Sequence, residues 1–281
     1  MKKLSDIGTI KEILGRHGFT FSKSLGQNFL INPSVCPRMA EMSGADSGVG
    51  VIEVGPGIGV LTCELCRRAE KVVAVELDKR LLPVLDETLA EFDNVKVVNA
   101  DVLELDLNRL ISEEFPGMEV VVCANLPYYI TSPVIMKLLE DGLPVKAITV
   151  MVQKEAAQRI CAPVGTRESG AVTVAVNYYA EPRLLFSVSA GSFMPAPKVD
   201  SAVIRLDIRS TPPVDAPPEK FFRAVKAAFS QRRKVIANSL AAGLGVDKAS
   251  DLDIVEKAGV SASARAEKLS LADFAAIAEQ L

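Results

Sequence analysis

Short apolar runs alternate with helical stretches through the first part of the chain, and this alternation restricts the fold more than any other feature. The runs lie at 51–54, 72–76, 95–98, 120–124 and 147–152, and valine dominates most of them. Helical patterns of roughly ten residues or more separate several of these runs, which is typical of βαβ units with parallel strands. The sequence therefore predicts an α/β fold with a mainly parallel sheet.

The pattern changes after Gln153. A helix is followed by three further runs at 171–179, 183–188 and 201–208, which we interpret as antiparallel strands added to one edge. Residues 210–219 then contain four prolines, which favour extended backbone and indicate a linker. The remainder is alanine-rich with helical spacing, so we expect one domain over 1–210 and an all-helical domain over 211–281.

Composition excludes several classes of protein. The 281 residues are 49% hydrophobic and 24% charged, and no apolar run is long enough for a membrane helix, so we expect a cytoplasmic protein that does not bind membranes. An odd number of scattered cysteines predicts reduced thiols, and Cys63 and Cys66 lack the partners of a zinc site. With His17 as the single histidine, we expect no metal and no mechanism that needs two histidines.

The run Asn125-Leu126-Pro127-Tyr128 follows the fourth predicted strand. The Asn125 side chain and the Leu126 carbonyl, held by Pro127, can accept the two N–H groups of an exocyclic amine, while Tyr128 stacks on the ring. This combination suggests methyl transfer to the N6 of adenine. Phe193 is a candidate for a second stacking ring, although a core position fits it equally well, and the Asn-x-Pro motif also suits an ordinary turn.

Three successive strands end in residues suited to binding an adenosine-containing ligand. The turn Gly55-Pro56-Gly57 follows the first strand, Glu76 ends the second and can bind ribose hydroxyls, and Asp101 follows the third. The glycine spacing is not that of the dinucleotide fingerprint, and Pro56 removes a donor for a pyrophosphate. We therefore favour S-adenosylmethionine over a nicotinamide cofactor.

Five motifs in this order resemble the ribosomal RNA adenine N6,N6-dimethyltransferase family, specifically its bacterial small-subunit branch. They are Ser24-Leu25-Gly26-Gln27-Asn28-Phe29-Leu30, the turn at 53–59, the run at 125–128, the segment 193–203 with Phe193-Met194-Pro195, and Phe229-Ser230-Gln231-Arg232-Arg233-Lys234. The resemblance implies a Rossmann-like S-adenosylmethionine-dependent methyltransferase fold with a small helical C-terminal domain. It also implies a cofactor site that includes Asn28, Leu30, Gly55, Glu76, Asp101 and Asn125, to which we add Gly57.

The activity that this resemblance implies is dimethylation of two adjacent adenines in a hairpin loop near the 3′ end of 16S rRNA, within the small ribosomal subunit or its precursor. We expect the enzyme to act as a monomer. The alternatives are a large-subunit rRNA adenine methyltransferase and a non-catalytic ribosome-assembly factor that keeps the fold.

The net charge of −3 is unusual for an RNA-binding protein, but acidic residues concentrate in 41–125, between segments in which Lys and Arg exceed Asp and Glu. After the linker, basic residues recur at spacings that suit one helix, where they predict an RNA-contacting surface or a solvated helix face. They are Arg223, Lys226, Arg232, Arg233 and Lys234. The resemblance favours RNA contact.

Overall fold

The chain forms two compact units. In a computed structural model, the structure describes residues 4–19, 28–231, 233–245 and 248–281. One unit consists of Met1–Ala157 and Arg183–Ile208, and the other of Gln158–Pro182 and Arg209–Leu281. The division therefore lies close to the predicted boundary after residue 210, but the segment Gln158–Pro182 belongs to the second unit rather than to the first.

A seven-stranded sheet forms the centre of the first unit. In chain order, the strands of the described residues are β1 (Phe29–Leu30), β2 (Val49–Val54), β3 (Lys71–Glu76), β4 (Val95–Asn99), β5 (Glu119–Asn125), β6 (Ala147–Gln153), β7 (Ala180–Val188), β8 (Phe193–Met194) and β9 (Ser201–Ile208). The large sheet has the order β4-β3-β2-β5-β6-β9-β7, and β1 and β8 form a separate two-stranded sheet. From β4 to β6 all neighbours are parallel, whereas β9 is antiparallel to β6. This confirms the predicted parallel sheet and the antiparallel addition of 201–208.

Helices α1 (Ile7–Arg16) and α2 (Val35–Met42) precede the parallel strands. The connections between those strands contain α3 (Val60–Cys66), α4 (Leu82–Thr88), α5 (Leu107–Glu114) and α6 (Thr131–Glu140), and α7 (Lys154–Ile160) follows β6. The second unit contains α8 (Ala171–Tyr179), α9 (Pro218–Ala228), α10 (Ile236–Leu244), α11 (Lys248–Lys257) and α12 (Leu271–Glu279). Within the described ranges, every helix is too short or too polar to span a lipid bilayer.

The central strands are buried on both faces, as their continuous apolar sequences require. Val51, Val72, Val122 and Ile148 have relative exposures of 0%. Because crossover helices cover a parallel sheet on both faces, only its strand ends remain available for binding a ligand.

The prediction of a strand over 171–179 is wrong, because these residues form α8. Valine at every second position from 172 to 176 imitates a strand pattern, but Val174 and Tyr178 lie four residues apart and pack together in the helical core of the second unit. The Thr173 hydroxyl accepts a hydrogen bond from the Gly170 N–H (3.0 Å) and donates one to the Arg159 carbonyl (2.7 Å). Tertiary packing therefore overrides the strand propensity of these residues.

The helical spacing that we predicted for the segment after the linker is interrupted. Helix α9 ends at Ala228 and α10 begins only at Ile236, so the basic residues after 230 do not share a helix with Arg223. The interruption lets α10 fold back onto α9 at very close range, since a Cβ at Gly243 would lie 2.4 Å from the Cα of Ala227. Only glycine permits that approach.

Candidate active site

The carboxyl ends of β2, β3 and β5 open into one cavity of the first unit. The predicted cofactor and catalytic residues all line it, namely Asn28, Leu30, Gly55, Gly57, Glu76, Asp101, Asn125, Leu126, Pro127, Tyr128 and Phe193. Ligands of open parallel sheets bind at this edge, where the loops after adjacent strands converge. The structure therefore brings the predicted residues together, while the role of each remains a prediction.

The glycine turn after β2 is tied to the end of β3. Glu76 is 6% exposed, and its carboxylate accepts hydrogen bonds from the backbone N–H groups of Gly57 (3.2 Å) and Asp78 (2.8 Å). Gly55 has φ +70° and nothing within 4 Å of the position where a Cβ would lie, so its backbone faces open space. This arrangement leaves room for a ligand to approach the backbone closely.

The next strand end supplies Asp101, whose Oδ1 accepts a hydrogen bond from the Leu103 N–H at 2.9 Å and so fixes the turn after β4. On the other side of the cavity, β1 and β8 form a two-stranded antiparallel sheet that pairs Leu30 with Phe193. Phe193 is only 4% exposed and packs in the core. Its ring therefore has a structural role in addition to lining the cavity, and its stacking on a base remains a prediction.

The motif after β5 leaves two hydrogen-bond acceptors available. Among described residues, neither the Asn125 side chain nor the Leu126 carbonyl has a hydrogen-bond partner, although the Leu126 N–H donates to the Met151 carbonyl at 3.3 Å. Tyr128 is half-buried, and its hydroxyl lies 2.7 Å from the Ser201 hydroxyl. The backbone of the motif is thus fixed while its acceptors remain free for an amine.

The cavity is rich in carboxyl groups. Three carboxyl groups line it, those of Glu53, Glu76 and Asp101, and no Lys, Arg or His occurs among the described lining residues. Burial raises the pKa of Glu76, although hydrogen bonds from the backbone at Asp78 and Gly57 oppose this effect. Burial also raises the pKa of Glu53, to about 8. Such a site favours a cationic ligand over a phosphorylated one.

No group of three or more His, Cys, Asp or Glu side chains in the described ranges is placed to hold a metal ion. The cysteines are free thiols, and Cys63 and Cys66 are buried on α3. Burial raises the pKa of both thiols to about 12, so they remain protonated near neutral pH and act as core residues.

Residues 18–281 match the family described as ribosomal RNA adenine dimethylase. The chain belongs to this family. Ribosomal RNA small subunit methyltransferase A of Geobacillus thermodenitrificans (strain NG80-2) is 47% identical over 285 residues, which cover 100% of this chain and 97% of the relative. The family resemblance found in the motifs is thereby confirmed.

Two solved structures support the same assignment. A dimethyladenosine transferase from Plasmodium falciparum is 25% identical with a TM-score of 0.72, covering 89% of this chain and 95% of that one. The 23S rRNA methyltransferase ErmE is 29% identical with a TM-score of 0.67, covering 90% of this chain and 99% of that one. The predicted Rossmann-like methyltransferase fold is confirmed.

The predicted RNA-contacting residues of this family member lie in the second unit. Arg223 and Lys226 are exposed on α9, and Arg233 and Lys234 are exposed in the turn before α10. None of these four forms an ion pair with a described carboxylate. Arg232 lies outside the described residues, as do residues 24–27 of the first family motif.

Two residues of the site were not found from the sequence. Glu53 lines the cavity, and its position as the single charged residue within an apolar strand was a signal that we did not use. Ser201 contacts Tyr128 from β9, 73 positions along the chain. No local pattern predicts the contact between Ser201 and Tyr128, because it depends on the antiparallel placement of β9 beside β6.

Proposed function

We propose that this chain transfers methyl groups from S-adenosylmethionine to the N6 amines of two adjacent adenines near the 3′ end of 16S rRNA, giving N6,N6-dimethyladenosine. The observation that carries this proposal is the presence of the Asn125–Tyr128 motif and the Gly55, Glu76 and Asp101 strand ends in one cavity. We propose further that the enzyme acts as a cytoplasmic monomer on the small subunit or its precursor.

The residues of the cavity fit a methyl donor of this kind. Both Glu76 and Asp101 line the cavity, where Glu76 would accept hydrogen bonds from the ribose hydroxyls and Asp101 one from the adenine amine. The carboxyl groups of the lining also suit a ligand with a sulfonium charge. When bound, S-adenosylmethionine would supply an electrophilic methyl group whose leaving group is a neutral thioether. The reaction therefore needs orientation more than acid–base catalysis, which agrees with a cavity without histidine.

The residues after β5 would orient the target amine. Asn125 Oδ1 and the Leu126 carbonyl accept its two N–H groups, which directs the nitrogen lone pair towards the methyl group, and the ring of Tyr128 stacks on the base. The new N–C bond forms as the S–C bond breaks with its electrons passing to sulfur, and the nitrogen then loses a proton to water. In the second round a single N–H remains to be held.

The test supplies labelled S-adenosylmethionine and undermethylated small subunits, and maps the modified nucleotides by mass spectrometry. We expect dimethylation of two adjacent adenines of 16S rRNA, and a decrease of about 100-fold in kcat/KM for Asn125→Ala, since misoriented reactants lose a factor of this order. Label on large-subunit RNA would favour the activity named for ErmE, and absence of label would favour an assembly factor without catalysis.

A further inference from the structure

Glu53 is a buried carboxyl group that takes no part in the proposed reaction as described above. It lies on β2, is 1% exposed, and lines the cavity. Its Oε2 atom is buried and forms no hydrogen bond with a described residue. The side chain of Thr62 lowers the pKa of Glu53 and so opposes the effect of burial, but it leaves Oε2 without a hydrogen bond. A buried carboxylate in this position is destabilised, so the side chain is either neutral or compensated by a ligand.

The titratable groups around Glu53 are carboxyl or thiol groups. Glu76 faces it from β3, Cys36 from α2, and Cys123 from β5, and the thiols of α3 complete the set. No cationic side chain is among these neighbours. Burial and the charge of Glu76 together raise the pKa of Glu53 to about 8, so the carboxyl group holds its proton at neutral pH in the ligand-free protein.

The charge of the cofactor changes during the proposed reaction. S-adenosylmethionine carries a sulfonium, an ammonium and a carboxylate, and is therefore a net cation, whereas S-adenosylhomocysteine has no sulfonium charge and is neutral overall. In a cavity of low dielectric constant a charge difference of this kind alters affinity strongly. When bound, the donor would supply a positive charge, which the described side chains around Glu53 do not provide.

We propose that Glu53 is a proton-exchanging counter-ion for the methyl donor: it ionises when the cationic donor binds and takes a proton back when the neutral product remains. This inference rests on the proposed function and deepens it. The affinity for the donor should therefore increase with pH relative to the affinity for the product. The positive charge of the donor stabilises the ionised form of Glu53, whereas the neutral product does not.

The test is isothermal titration calorimetry of the full-length protein with S-adenosylmethionine in buffers of different ionisation enthalpy. At pH 7 we expect release of about one proton per donor bound, and affinity that strengthens by about tenfold per pH unit between pH 6 and 7.5. S-adenosylhomocysteine should release fewer protons. Glu53→Gln should abolish the proton release and flatten the pH dependence.

The matched control is Glu41→Gln, which changes an exposed glutamate on α2 and should behave as the wild type. If Glu53→Gln does not fold, infrared difference spectroscopy of the wild type provides a second measurement, in which a carboxylic-acid C=O band should disappear when the donor binds. Donor binding without proton release and without loss of this band would refute the role of Glu53 but leave the proposed function intact. Absence of donor binding at every pH would refute both.

Discussion

At the scale of single residues, the ring that we propose as a base-stacking platform is positioned by a residue from another strand. Ser201 is 0% exposed and begins β9, where it pairs with Gln153 of β6. Its hydroxyl forms its only hydrogen bond among described residues with Tyr128, at 2.7 Å. The sheet therefore fixes the orientation of the Tyr128 ring, which restricts the poses that a base can adopt on it.

This contact predicts a coupled pair. Ser201→Ala should lower kcat/KM by about fivefold, since one neutral hydrogen bond contributes about 1 kcal/mol. Tyr128→Phe leaves the buried Ser201 hydroxyl unpaired, which should lower the free energy of unfolding by about 1–3 kcal/mol. The losses of kcat/KM and of unfolding free energy in the double variant should be no larger than those of the more damaging single variant. Kinetics and denaturant unfolding of all three variants measure this.

Tyr129→Phe is the stability control for the pair, because Tyr129 is 54% exposed and its hydroxyl forms no hydrogen bond with a described residue. It should leave the free energy of unfolding unchanged. Strict additivity of the Ser201 and Tyr128 substitutions would contradict a positioning role for Ser201.

The sequence revealed some of these residues and not others for a physical reason. Asn125, Leu126, Pro127 and Tyr128 are adjacent in the chain, so their chemistry can be interpreted as one local motif. The contact between Tyr128 and Ser201 depends on the placement of β9, and the state of Glu53 depends on burial by several elements. Properties that arise from packing at long sequence separation are not contained in any local pattern.

At the scale of secondary-structure elements, α8 depends on one buried hydroxyl. Thr173 is 0% exposed, and its hydroxyl joins the start of α8 to the end of α7 through Gly170 and Arg159. Strands β2, β3, β5 and β6 were predictable because a buried parallel strand is largely apolar, whereas α8 was not. This segment forms a helix because of tertiary hydrogen bonds of this kind, and its strand-like composition does not indicate them.

We therefore expect Thr173→Val to lower the free energy of unfolding by about 2–3 kcal/mol, because the substitution preserves shape but removes two hydrogen bonds in a buried site. Ser169→Ala is the matched control in the same unit, since the Ser169 hydroxyl is also buried but has no hydrogen-bond partner among the residues that the structure describes. Removal of this hydroxyl should leave the free energy of unfolding unchanged or increase it. Equal destabilisation by both substitutions in urea unfolding would contradict this account of α8.

At the scale of the whole molecule, acidic and basic residues are concentrated in different units. The acidic excess of 41–125 belongs to the first unit, whose cavity is lined by carboxyl groups. The second unit contains the exposed cations Arg223, Lys226, Arg233 and Lys234, which pair with no described carboxylate. A small net negative charge is thus compatible with RNA binding, because phosphates respond to the local surface rather than to the total charge.

This distribution predicts that Arg223→Glu combined with Lys226→Glu weakens binding to undermethylated small subunits while leaving the affinity for S-adenosylmethionine unchanged. Each lost phosphate contact should reduce the slope of log K against log salt by about 0.7–0.9, so the variant should also be less salt-sensitive. Lys257→Glu is the control in the same unit, because Lys257 is ion-paired with Asp253 at 2.7 Å. Binding assays across a salt series measure the effect, and an unchanged slope in the double variant would show that this face of α9 does not contact the RNA.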